Sequence, residues 1–74
     1  MAHTYKLVEL VGTSETSVDD AIRSGIARAG KTLRNLDWFE VTQVRGQIGD
    51  GGVRYYQVTM KVGFRVLDPD ELED

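Results

Sequence analysis

Cysteine is absent from these 74 residues, and His3, Trp38 and Pro69 are the only histidine, tryptophan and proline. Without cysteine no disulfide or thiolate ligand can form, so the usual staples of a very small domain are missing. His3 lies near the chain start, no zinc-ligand set can be assembled, and the serines and threonines have no partner base. Catalysis is therefore not expected. Carboxylates such as Glu9 and Glu40 could meet on a sheet face, but a solvated charge pattern accounts for them equally well. Gly12 and the glycines between 46 and 52 lack the spacing and the helix-start lysine of a phosphate loop, and they read as turn and bulge glycines. No stretch approaches the roughly 20 apolar residues of a membrane span, and Met1 to Lys6 carries no signal-peptide run, so a soluble cytoplasmic protein is expected. A net charge of −3 repels polyanions, which speaks against a nucleic-acid partner. Five of the twelve acids, Asp68, Asp70, Glu71, Glu73 and Asp74, sit in the tail, leaving nine basic against seven acidic residues, which is compatible with a local anion site.

What is present is a single domain, 1–74, with a core expected over about 4–67 and an acidic tail over 68–74, expected to be mobile. At this length folding removes only roughly 60 % of the unfolded chain's surface from water. Self-association is the expected source of further burial. Tyr5 to Val11 is β-rich, too short for a helix, and reads as a first strand ending at Gly12. Thr16 or Ser17 can cap a following helix, with Glu15, Asp19 and Asp20 suiting its positive end. Val18, Ile22, Gly25, Ile26, Ala29 and Leu33 recur at intervals of three and four, which predicts an amphipathic helix of four to five turns. Gly25 and Gly30 within it hint at close approach of another backbone.

After Asn35 the period changes. Leu36 to Arg45 is β-branched and aromatic with partial alternation, and Gly51-Gly52 after Asp50 supplies the positive φ angles of a tight hairpin. From Arg54 to Val66, Tyr56, Val58, Met60, Val62, Phe64 and Val66 point one way, while Tyr55, Gln57, Thr59, Lys61, Gly63 and Arg65 point the other. The order β-α-β-β gives an α+β fold with one helix on one face of a three-stranded antiparallel sheet. On the second strand Phe39 and Val41 should pack inward, while Trp38, Glu40 and Thr42 face out. That places the largest side chain on the face the helix leaves bare, where it serves either as interface packing or as a stacking platform. Gln57 faces the same side and offers the donor and acceptor that a pyrimidine-like edge requires, or is simply solvated strand surface.

Leu36-Asp-Trp-Phe-Glu-Val41 after a helix, Tyr56-Gln-Val-Thr-Met-Lys-Val-Gly-Phe-Arg65 and the earlier Val11-Gly-Thr-Ser14 together resemble the bacterial dodecins, over nearly the whole chain from about Tyr5 to Val66. The resemblance implies a hollow homo-dodecamer that binds flavins in pairs near two-fold axes, stores or sequesters them, and quenches them by electron transfer from indole. By that resemblance Trp38 stacks on the isoalloxazine and Gln57 hydrogen-bonds its pyrimidine edge. Arg45 and Arg65 match arginines that are candidates for contacts with FMN phosphate, coenzyme A or a neighbouring subunit, or for surface salt bridges. The ligand expected is FMN, with riboflavin and FAD as relatives. The competing expectation is a structural or adaptor homo-oligomer without a small-molecule ligand, in which Trp38 is buried only against other subunits.

Overall fold

The computed structural model describes residues 3–67; the acidic tail lies outside the described residues. Its elements are β1 (Thr4–Ser14), α1 (Val18–Ala29), β2 (Leu36–Gly49) and β3 (Gly52–Val66). All pairings are antiparallel and the strand order is β1-β3-β2, so the most strictly alternating strand is the central one. The expected α+β architecture is present. Among the described residues no helix is long and apolar enough to cross a membrane.

The core lies between the helix stripe and one face of the sheet. Ala21, Val58, Met60 and Val62 are fully buried, with Val8, Leu10, Val18, Ile22, Ile26 and Leu36 packed around them. Two glycines let the layers close. A Cβ on Gly12 would collide with the backbone carbonyl of Ala21, and one on Gly25 would sit 3.4 Å from the Gly12 Cα. The first strand therefore continues through Gly12 to Ser14, where the sequence suggested a turn, because Gly12 is needed as the flat spot under the helix. Gly25 fulfils the expected close approach. Gly30 instead ends the helix, its N–H donating to carbonyls of its own last turn.

Ser17, one of the two candidates, is the cap: its hydroxyl accepts from the Asp20 N–H at 3.0 Å. Ser14, on the last residue of β1, accepts from the N–H groups of Thr16 and Ser17 and donates to the Asp20 carboxylate at 2.7 Å. The helix is shorter than its apolar pattern, 12 residues, with Leu33 beyond it. The N–H groups of Lys31 and Thr32 bond three residues back to Arg28 and Ala29, tightening the chain out of α geometry, and Asn35 takes a left-handed φ of 62° that turns it into β2.

The hairpin turns on Asp50 (φ 48°) and Gly51 (φ 83°), one position earlier than Gly51-Gly52, and Gly52 already belongs to β3. The hairpin arms are longer than the alternation indicated, and α1 packs on β1 and β3 without covering β2. Phe39 and Val41 lie opposite Val62 and Met60, on the helix side as expected, yet both stay exposed because the helix does not reach them. Farther along, Val44, Gly46, Ile48, Val53 and Tyr56 line an apolar groove beside Val18.

Candidate functional site

Two bulges on β2 decide which side chains share the bare face. Leu36 pairs with Phe64 and Trp38 with Gly63, so Asp37 is an extra residue. That phase change sends Leu36 into the core and Trp38 to the opposite face, although the two share the same parity. A second shift leaves Thr42 unpaired between Val41 and Gln43, with its hydroxyl donating to the Thr59 carbonyl at 3.2 Å. Strict alternation from Trp38 would have placed Arg45 on the helix side; the Thr42 bulge brings Gln43 and Arg45 round to the tryptophan's face. The partial alternation of this segment is the trace of these insertions.

Trp38 lies against Gly63. A Cβ built on that glycine would come within 3.0 Å of three indole atoms, nearest to the ring-fusion carbon Cε2, then Cζ2, then Nε1. A point in the ring plane, outside that edge, would be closer to Cζ2 and Nε1 than to Cε2. A point above the plane gives the observed order. The indole is therefore face-down on the central strand, with its other face turned outward, and the residue is 42 % exposed.

Around the ring, Leu7 of β1 flanks Gly63 on the other side, and Tyr5 lies opposite Arg65. Tyr5 hydrogen-bonds the Asp37 carboxylate, and that bond, with desolvation and the nearby negative charge, holds the phenol above its ordinary 10.0 against the opposing pull of Arg65. Arg65 itself is half-buried, and its backbone N–H donates to the Asn35 carbonyl at 3.1 Å.

Gln57 lies on the same face, in a row with Thr13 on one side and Arg45 on the other. Gln57 lies six positions before Gly63 on β3, which puts the two rows about 20 Å apart at the usual strand rise. The four expected site residues thus fall into two groups within one chain: Trp38 near Arg65, and Arg45 beside Gln57. Trp38 and Gln57 are not brought together. Between the groups Lys61 has Glu9 on one side and Glu40 on the other, so the two carboxylates are separated by a cation and do not meet as a pair. Among the described residues no group of three or more His, Asp or Glu is placed to hold a metal ion.

Tyr5, Asp37 and Gly63 belong to this site and were not singled out from the sequence. Tyr5 and Asp37 become neighbours only once β3 lies between β1 and β2. Gly63 did carry a signal, as the one glycine in the polar row of an otherwise well-filled strand.

The dodecin family model matches residues 4–67. A dodecin of Thermus thermophilus is 59 % identical over 66 residues, 89 % of this chain and 96 % of that protein. The structure of a dodecin from Streptomyces davaonensis superposes with a TM-score of 0.87 at 59 % identity, covering 92 % of this chain and all of that one. One from Streptomyces coelicolor gives 0.85, also at 59 % identity, over 89 % and 94 % of the two chains.

Proposed function

The chain belongs to the dodecin family of small self-assembling binding proteins, and from that premise we propose that it stores or sequesters a flavin, FMN or riboflavin, without turning it over, as a homo-dodecamer. The observation that carries this reading is the indole of Trp38, held flat on the sheet with one face open. A π-rich heterocycle stacks on such a face in an offset arrangement worth about 0.5–1.5 kcal/mol beyond the area it buries. The indole donates an electron to the excited isoalloxazine and so quenches it.

The 20 Å between the Trp38 and Gln57 rows gives this binding a quaternary requirement. An isoalloxazine on Trp38 is hydrogen-bonded by a Gln57 of another copy, because its own is out of reach. A two-fold axis beside the ring supplies both a second tryptophan and that glutamine. Arg65 at the tryptophan end and Arg45 in the glutamine row supply the positive charge for a ribityl phosphate, which favours FMN, and the same chemistry suits the phosphates of coenzyme A.

Titration of flavin fluorescence tests the reading. Excess folded protein quenches FMN and riboflavin, and Trp38→Ala abolishes most of the quenching while the assembled mass stays the same. Undiminished flavin emission with the wild-type protein overturns it. The exposed Tyr5, Leu7 and Val11 on the tryptophan's side of the sheet favour a second reading, an adaptor oligomer in which Trp38 is covered by another copy. In that case the purified protein is colourless and ligand-free, and Trp38→Ala breaks assembly.

A further inference from the structure

Gly63 faces the same side of β3 as Gln57, Thr59, Lys61 and Arg65, yet it is buried, and what buries it is the Trp38 ring. A glycine inside a strand gives up packing and backbone order, so its presence in the central strand calls for something that needs the room. Here that something is an indole. Three ring atoms occupy the volume a Cβ would need. Any side chain at 63 must therefore lift or tilt the ring, because the atom in its way belongs to a rigid bicycle and not to the end of a flexible chain.

We infer that Gly63 is the positioning residue of the ligand platform: by having no side chain it seats the indole flush on the sheet, so that each Trp38 offers one flat face to one ligand. The inference rests on the flavin-stacking reading for its ligand and on geometry alone for the ring. Two consequences follow for recognition. The sheet blocks the inner indole face, so a ligand cannot be sandwiched by a single subunit, and the plane on which a ligand lies is set by the β3 backbone through Gly63. A raised or tilted indole would meet a planar ligand at its edge.

The test is Gly63→Ala in the full chain, beside Trp38→Ala and the double variant, each read without ligand and with riboflavin. With the ring displaced, the near-ultraviolet circular dichroism of the single tryptophan collapses in the ligand-free protein, and the riboflavin Kd rises about tenfold or more through loss of face-to-face overlap. The urea midpoint falls on Gly63→Ala in the wild-type background but not in the Trp38→Ala background, where the ring is gone and alanine suits a strand at least as well as glycine. A Gly63→Ala chain that does not fold, rescued by adding Trp38→Ala, supports the inference in the same way. An unchanged indole signal with an unchanged riboflavin Kd overturns it, as does an equal loss of stability in both backgrounds or a double variant that also fails to fold. If the wild-type protein leaves riboflavin emission undimmed, the flavin reading fails, and the ligand-free spectrum and the midpoints still decide the role of Gly63.

Discussion

Each residue of the site owes its place to a neighbour. Trp38 lies flat because of Gly63, and it faces outward because Asp37 is an extra residue that resets the phase of β2. Asp37 has a second part, as the hydrogen-bond acceptor of Tyr5. Because the Tyr5 phenol is held above its ordinary value in the folded chain, the folded state keeps its proton where the unfolded chain has lost it. The stability this contributes is complete below about pH 10, the unfolded value, and is lost as the pH rises through the higher folded value. Ultraviolet titration of phenolate should therefore show a late component that Tyr5→Phe removes and that Asp37→Asn moves back toward 10.0. A tyrosinate component unaffected by Asp37→Asn would show that the hydrogen bond is not its cause. Trp38 facing outward was legible in the sequence from period-two alternation. Its distance from Gln57 was not, because alternation reports faces and says nothing of position along the strand until residues are paired.

At the scale of the element, the helix and the hairpin are set by short polar signals. The Ser14 hydroxyl has three partners and the Ser17 hydroxyl one, all at the first turn of α1. Ser17→Ala should cost about 1 kcal/mol in denaturant unfolding. Ser14→Ala should cost more, about 2 kcal/mol, since it leaves two N–H groups and a carboxylate without that partner at a site only 9 % exposed. If Ser14→Ala is the milder change, the Ser14 bonds are not what joins β1 to the helix. Gly51 has a φ of 83°, where an added Cβ costs roughly 1–2 kcal/mol, so Gly51→Ala should destabilise the hairpin although nothing lies near it to clash. The strand and helix types could be read from period and composition, whereas the early end of the helix could not. Leu33 continues the apolar spacing, but the spacing carries no record of the sharp exit at Asn35.

As a whole molecule the chain is long and thin, 55 × 21 × 13 Å, with a radius of gyration of 15.4 Å against about 11 Å for a compact domain of this length. The excess lies in the β2–β3 hairpin, where Val44, Ile48 and Val53 are exposed on the helix's face of the sheet, in the stretch the helix does not reach. In the homo-oligomer proposed above, neighbouring copies would provide that cover. Ile48→Glu, at a residue 80 % exposed in the single chain, should thus reduce the particle's mass in native mass spectrometry while sparing the hairpin. Full-size particles from this variant would place the interface elsewhere. Thermal midpoints should also rise with protein concentration, as they do wherever folding draws on association. The need for partners was legible from length and the missing cysteines, while the surface that meets them required the strand order.

That order leaves β1 and β2 as the two outer strands, each with one row of backbone donors and acceptors that no strand among the described residues takes up. Newly made subunits consequently carry two open borders onto which a further extended chain can add, so productive assembly competes with open-ended stacking, and both, being association steps, quicken as subunits accumulate. Yield of intact particles should then depend on how fast subunits are delivered, which makes synthesis rate, and not sequence alone, a determinant of how much working protein a cell obtains.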